Sequence, residues 1–76
     1  MKTYSEMISE MNSNGFQMEQ SISGYYYCIH EDQDGVKRTV WMDSACEDAY
    51  DLETAIAIAY PLCEEWEEEH PSLFVK

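Results

Sequence analysis

The Asp34-Gly35 dipeptide restricts the fold more than any other feature of this sequence. Asp-Gly between two runs of strand-forming residues is typical of a β-hairpin with a two-residue type I′ turn. The flanking stretches, residues 25–31 and 36–42, are rich in the aromatic and β-branched residues that favour strands. The register that follows sets acidic side chains opposite basic ones. Its predicted pairs are Gln33 with Val36, Asp32 with Lys37, Glu31 with Arg38, His30 with Thr39, Ile29 with Val40, Cys28 with Trp41 and Tyr27 with Met42.

An earlier segment supplies a third strand. Phe16, Met18 and Ile22 alternate with polar residues, which is the period of a half-buried strand. If Ser23 and Gly24 form a two-residue hairpin loop, the predicted pairs are Ile22 with Tyr25, Gln20 with Tyr27 and Met18 with Ile29. The predicted core face of this meander consists of Phe16, Met18, Ile22, Tyr25, Tyr27, Ile29, Val40 and Met42. The opposite face is predicted to carry Tyr26, Cys28, His30, Thr39 and Trp41.

A short amphipathic helix is predicted before the strands. The stretch from Thr3 to Glu6 fits a capping box, in which each end residue satisfies an amide of the other. Apolar residues then recur at helical spacing, which predicts a helix from about residue 4 to residue 12. The Asn14-Gly15 pair is expected to end it, because glycine adopts the left-handed conformation found at helix C-termini.

A longer amphipathic helix is predicted after the strands, from about Leu52 toward Glu69, with Asp51 as its N-cap. Pro61 is expected to bend or break it, because proline removes one amide and crowds the preceding turn. Residues 44–47 fit a second capping box, so a short helical turn before the long helix is an alternative start. The side predicted to face the core consists of Leu52, Ala55, Ile56, Ala59, Leu62, Cys63 and Trp66.

The order of elements, α-β-β-β-α, predicts the fold class. Residues 1–76 are short enough to form a single domain, which buries roughly 60% of the unfolded chain's surface. Apolar residues make up 45% of the chain, which is too many for a disordered tail. The simplest architecture is a two-layer α+β domain, with a three-stranded antiparallel meander and both helices on its more apolar face.

Charge narrows the choice of partner. Sixteen Asp and Glu against four Lys and Arg give a net charge of −12, so direct binding to nucleic acid is disfavoured. Residues 43–69 hold ten acidic side chains and no Lys or Arg, and the stretch from Cys63 to His70 reads CEEWEEEH. The simplest interpretation is a solvated helix end. A cationic partner is preferred, because unpaired like charges destabilise a helix yet steer association with a basic groove.

The sequence holds no constellation that indicates catalysis. Nucleophiles and bases occur only singly, and no Gly-rich phosphate loop is present, so we expect no enzyme activity and no cofactor. Cys28 and His30 could share a metal with other cysteines, but the spacing of a zinc site is missing and no metal is expected. Three widely spaced cysteines favour reduced thiols, and no signal peptide or membrane helix is predicted, which indicates a cytoplasmic protein without membrane contact.

The aromatic residues on the second sheet face allow two interpretations. If both helices cover the other side, Tyr26 and Trp41 form an exposed patch of the kind that marks interaction surfaces. If one helix packs on this side, the same residues are ordinary core. Periodicity alone does not choose between these arrangements.

At class level, the chain resembles the small acidic anti-defence proteins of phages and mobile elements, which include anti-CRISPR and DNA-mimic inhibitors. The resemblance rests on the element order, on EDQDGVKRT for the hairpin and on CEEWEEEH for the acidic helix. It implies a non-catalytic inhibitor of a nuclease or CRISPR effector, located in the host cytoplasm if phage-encoded. Double-stranded-RNA-binding domains share the element order, but this chain lacks their basic surface.

The residues predicted to contact a basic protein partner are mostly carboxylates: Asp43, Glu47, Asp48, Asp51, Glu53, Glu64, Glu65, Glu67, Glu68 and Glu69, with Tyr26, Trp41 and Tyr60 adding aromatic contacts. Two alternatives stay open. One is an immunity or antitoxin protein that neutralises a basic toxin. The other is a homo-oligomeric adaptor that uses the Tyr26 and Trp41 face. Across these alternatives, the protein is expected to be a monomer or a homodimer.

Overall fold

The computed structural model describes residues 1–42 and 50–74. Helix α1 (Tyr4–Ser13) is followed by strands β1 (Phe16–Gln20), β2 (Tyr26–Glu31) and β3 (Lys37–Met42), then helix α2 (Leu52–Glu69) and a 3₁₀ turn (Pro71–Leu73). The strands form one antiparallel sheet in the order β1-β2-β3. Helix α1 contacts α2 and β1, and α2 contacts β2 and β3. The predicted α+β arrangement, with two helices and a three-stranded meander, is confirmed.

Local signals set the ends of α1 as predicted. The Thr3 hydroxyl accepts a hydrogen bond from the Glu6 amide at 3.1 Å, and the Glu6 carboxylate accepts one from the Thr3 amide at 2.9 Å. The helix stops at Asn14, and Gly15 follows with φ +89°. The capping box and the Asn-Gly stop are therefore both confirmed.

Both hairpin turns are longer than predicted. At the second turn the Asp32 amide donates to the Val36 carbonyl at 3.0 Å, which leaves a three-residue loop that ends in Gly35 at φ +82°. The Asp32 carboxylate favours this loop, since it accepts from the amides of Asp34 and Val36, each at 2.9 Å. A three-residue loop with a left-handed glycine is the next commonest hairpin connection after the two-residue turns.

The first turn has the same form. The Ser21 amide donates to the Tyr25 carbonyl at 2.8 Å, so the loop again holds three residues and ends in Gly24 at φ +99°. The predicted pairing of Met18 with Ile29 is therefore wrong, because Met18 pairs with Cys28. A slip of one residue exchanges the two faces of a strand, so the predicted faces of β2 are exchanged relative to β1.

A bulge restores the predicted β2–β3 register over the part of the ladder far from the turn. Near the turn, Glu31 pairs with Lys37 instead of Arg38, so the predicted register is wrong there. An irregularity between Cys28 and Ile29 leaves Val40 without a partner in the ladder. Beyond the bulge, the predicted pairs of Cys28 with Trp41 and of Tyr27 with Met42 are confirmed.

The core lies on the side of the sheet that carries Cys28 and His30, which are 0% and 3% exposed. The predicted core face is therefore wrong for β2, and Ile22 and Met42 are exposed. Ile29 is buried but lies outside the main core cluster. That cluster consists of Met11, Phe16, Cys28, Ile56, Ala59, Cys63 and Trp66, with Met18, Val40 and Trp41 packed against it.

Helix α2 begins and ends as predicted, but it lacks the predicted break at Pro61. Asp51 caps it by accepting from the Thr54 amide at 2.9 Å. The helix runs through Pro61 without interruption, so no break occurs near Tyr60. Its predicted inner side is confirmed by the burial of Ala55, Ile56, Ala59, Cys63 and Trp66, whereas Leu52 is exposed. The short helical turn proposed for residues 44–47 lies outside the described residues.

Candidate protein interface

The carboxylates of α2 form an exposed surface at the C-terminal half of the helix. Cys63 and Trp66 face the core, so the intervening and following residues must point outward. The exposed members of this acidic surface are Glu64, Glu65, Glu68 and Glu69, and Glu67 at its border is half-buried. The last turn of α2 contains no basic residue, so nothing in it offsets the partial negative charge of a helix C-terminus.

Ion pairs do not neutralise this acidic surface within the described part of the chain. The two salt bridges found in residues 1–42 and 50–74 join Lys2 to Glu10 and Arg38 to Asp32. Neither involves a carboxylate of α2. Glu64 and Glu68 lie one turn apart, as do Glu65 and Glu69, so like charges repel along two rows of the helix.

A cleft of about 610 Å³ adjoins the acidic surface. Its walls come from the end of α1, the end of β2 with the loop after it, and the end of α2 with the 3₁₀ turn. Two helix C-termini and several carboxylates therefore meet around one depression, which concentrates negative potential there. The acidic residues along its walls are Glu31, Asp32, Glu67 and Glu68. Glu31 follows the inward-facing His30 on β2, so its carboxylate lies on the other face of the sheet, where it accepts from the Gln17 side-chain amide at 3.5 Å.

Asp32 differs from the other carboxylates of the cleft because it is already paired. The Arg38 guanidinium donates to it at 2.7 Å, and the loop amides donate to its other oxygen. These bonds, that from Arg38 first, hold the pKa of Asp32 below its usual range. A cationic side chain entering the cleft would therefore meet Glu67 and Glu68 rather than Asp32.

His30 lies buried at the floor of this cleft. Its ring centroid is 4.7 Å from that of Trp66 and 4.9 Å from that of Phe74, which the 3₁₀ turn brings back over the sheet. Burial lowers the pKa of His30, although a hydrogen bond with the Asn14 backbone opposes the shift. The neutral ring adds no positive charge at neutral pH. Its Nδ1 atom has no hydrogen-bond partner among the described residues.

Tyr60 lies half-buried between the two helices. Its hydroxyl accepts from the Lys2 ammonium at 2.6 Å and donates to the Glu10 carboxylate at 2.9 Å, and Lys2 also pairs with Glu10. This network raises the pKa of Lys2 and lowers that of Glu10, in each case mainly through their mutual hydrogen bond. The hydroxyl of Tyr60 is therefore engaged within the protein.

The other acidic residues predicted to contact a partner lie at the start of α2 or outside the described residues. Asp43, Glu47 and Asp48 lie outside the described residues. Asp51 is exposed but serves as the N-cap of α2, and its bonds to Thr54 lower its pKa. Glu53 is exposed near the start of α2, roughly 16 Å along the helix axis from Glu64.

Tyr26 and Trp41 lie on the sheet face that carries Cys28, and both are half-buried. Trp41 packs against the core cluster. Of the two interpretations of this face, the one in which a helix packs on it is therefore confirmed. An adaptor that uses this face stays a prediction.

Local sequence patterns do not predict the cleft. The predicted register gives Glu31 and Asp32 only as cross-strand partners of basic residues. The wall that these residues form with the end of α2 depends on where β2 ends relative to α2, which no local pattern encodes.

No cluster of three or more possible metal ligands occurs in residues 1–42 and 50–74. None of the helices in these ranges combines the length and apolar character needed to cross a membrane. No protein-family model, no curated protein and no solved structure matches the chain.

Proposed function

We propose that the protein is a non-catalytic inhibitor that binds the basic, nucleic-acid-binding surface of a defence nuclease or CRISPR effector. The observation that carries this proposal is the acidic surface of α2, which forms no ion pair with any residue in 1–42 and 50–74, beside a cleft lined with further acidic residues. Such a surface lowers the stability of an isolated helix, and a positively charged groove would offset that cost on binding.

The spacing of the carboxylates supports mimicry of nucleic acid. Residues 64–69 hold five glutamates over roughly 7.5 Å of helix. Duplex DNA carries one negative charge per about 1.7 Å of its axis, so the two charge densities are comparable. A groove that binds phosphates through Lys and Arg would accept this surface and release counterions as it does with DNA.

The cleft gives the proposed complex a point of attachment. A Lys or Arg side chain of the partner would enter the cleft beside Glu67 and Glu68 on the wall formed by α2. Charge-assisted hydrogen bonds to carboxylates are stronger than neutral ones, and they fix orientation as well as affinity. The acidic surface would then steer the approach while the cleft sets the pose.

The test is a pull-down with the tagged protein from a bacterial lysate supplemented with candidate nucleases and CRISPR effectors. We expect recovery of a basic nucleic-acid-binding protein, lost as salt rises and displaced by added DNA. A partner that DNA cannot displace would instead favour the immunity-protein alternative. Failure to retain any basic protein at low salt would contradict the proposal.

Two variants make this test specific to the interface. The first reverses three exposed carboxylates by Glu64→Lys, Glu65→Lys and Glu68→Lys, and we expect it to abolish inhibition. The second adds the same charge on the sheet and its turns by Glu19→Lys, Asp34→Lys, Ser23→Lys and Thr39→Lys. If both variants lose binding equally, net charge rather than the acidic surface is responsible. If the first variant still inhibits, the proposal is wrong.

A further inference from the structure

Two cysteines meet in the core of the protein. Cys28 lies on β2 and Cys63 on α2, and their Sγ atoms are 3.7 Å apart. The residues are 0% and 5% exposed, and both thiols are free. The predicted register puts Cys28 on the sheet face away from α2, so the contact appears only with the observed register.

The two thiols influence each other. A hydrogen bond between them lowers the pKa of Cys28, whereas the same neighbour and burial raise the pKa of Cys63. A single negative charge is therefore easier to form on the pair than two. That charge rests first on Cys28, and Cys63 becomes the nucleophile when its proton passes to the Cys28 sulfur across the 3.7 Å contact.

A small crevice leads from the surface to Cys63. It lies between α1 and α2, has a volume of about 20 Å³, and is lined in part by Met11, Tyr60 and Cys63. A space of this size holds about one water-sized molecule. Cys63 is therefore the thiol nearer to the surface, whereas Cys28 is fully buried behind it.

We propose that Cys28 and Cys63 are a dithiol site that a hydroperoxide oxidises to an internal disulfide between β2 and α2. Peroxide first transfers an oxygen to the Cys63 sulfur. An S–O bond forms, the O–O bond breaks, and the thiol proton leaves in water. The Cys28 sulfur then displaces the hydroxyl group. The S–S bond forms, the S–O bond breaks, and the second thiol proton leaves in a second water.

The geometry requires little movement. A disulfide has an S–S length of about 2.05 Å, so the sulfurs must approach by less than about 2 Å. The bond would close a loop of 35 residues' separation and constrain the unfolded chain. We expect oxidation to raise the melting temperature by roughly 10 °C. The exposed glutamates of α2 are untouched, so this site is independent of the proposed binding to a basic partner.

The experiment uses the full chain with Cys46→Ser, which removes the third thiol. The variant is treated with hydrogen peroxide, the intact mass is measured, and the protein is digested with trypsin without reduction. Trypsin cuts after Lys37 and Arg38, so Cys28 and Cys63 fall in separate peptides. We expect the loss of two hydrogens and a peptide pair that separates on reduction.

The matched control adds Cys28→Ser to the same background. It should form a sulfenic acid at Cys63 but no linked peptides and no rise in melting temperature. The proposal is overturned if the Cys46→Ser protein keeps both free thiols under peroxide, or if linkage forms only between chains. Oxidation of both sulfurs to higher acids without linkage would overturn it as well.

Discussion

Gly15 offers the sharpest test of how the two ends of the cleft are held together. It connects α1 to β1 with φ +89°, a conformation that side chains with a Cβ rarely adopt. A Cβ at this position would lie 2.9 Å from the Glu31 carbonyl oxygen and 3.0 Å from His30 Nε2. Substitution Gly15→Ala therefore adds a backbone penalty and a steric clash at the same site.

The magnitude follows from these two costs. The left-handed conformation costs a non-glycine residue about 1–2 kcal/mol. Overpacking adds about 1–3 kcal/mol where the neighbours cannot move. The Glu31 carbonyl is poorly placed to move, because the Glu31 amide donates to the Gly15 carbonyl at 2.9 Å. We expect Gly15→Ala to lower the free energy of unfolding by about 2–5 kcal/mol.

Gly35→Ala is the matched control. Gly35 has φ +82°, but a Cβ there would meet no heavy atom within 4 Å. It therefore carries the backbone cost alone, about 1–2 kcal/mol, and shares with Gly15→Ala the loss of unfolded-chain entropy. Urea unfolding followed by tryptophan fluorescence measures both variants. Equal losses for the two would refute the inference that the Gly15 turn is packed tightly against Glu31 and His30.

Three further perturbations test other parts of the structure. Thr3→Ala should lower the free energy of unfolding by about 0.5–2 kcal/mol in urea, because it removes the N-cap, while Ser5→Ala in the same first turn should cost nothing measurable. Glu64→Gln with Glu68→Gln should stabilise the protein by about 0.2–0.5 kcal/mol at low salt, since a repulsive pair is removed, and a gain that persists in high salt would contradict this reasoning. The pKa of Asp32 is lowered in the folded state, so its contribution to stability is present above the unfolded pKa of about 4 and is lost as the pH falls through the lower folded value. Asp32→Asn should therefore flatten the decrease of unfolding free energy below about pH 4, and an unchanged slope would show that Asp32 is not held by Arg38.

The features that sequence predicted well are those that depend on neighbouring residues. The capping box at Thr3 and Glu6, the Asp51 cap and the buried side of α2 all arise from contacts within one or two helical turns. Residue spacing encodes such contacts directly. Spacing alone predicts that Trp66 faces the core, and this residue is 8% exposed.

The features that sequence missed include the loop length at Asp34-Gly35 and the continuation of α2 through Pro61. Asp-Gly suits a two-residue loop, but the Asp32 carboxylate binds two loop amides and favours three residues. Pro61 predicts a bend or a break in α2, yet the helix continues with Ala59 and Cys63 buried on either side of it. Packing of α2 against the sheet outweighs the local preference of Pro61, whereas at the turn the local bonds of Asp32 outweigh the preference of Asp-Gly.

Both proposed sites depend on the β1–β2 register, because a shift of one residue would turn the other face of β2 toward the helices. Phe16 and Met18 pack on the core side of the sheet, so the β1–β2 register decides which residues of β2 join them. The three-residue loop ending in Gly24 selects Cys28 and His30. Cys28 thereby meets the thiol of α2, and His30 supplies the floor of the acidic cleft.

The bulge at Val40 completes this arrangement at the other edge of the sheet. Without it, the three-residue loop after β2 would shift every partner in β3 by one position. With it, Trp41 returns to the position opposite Cys28 and packs against the core. The dithiol and the cleft thus depend on two loops and one bulge acting together, because each corrects or sets the face that the helices cover.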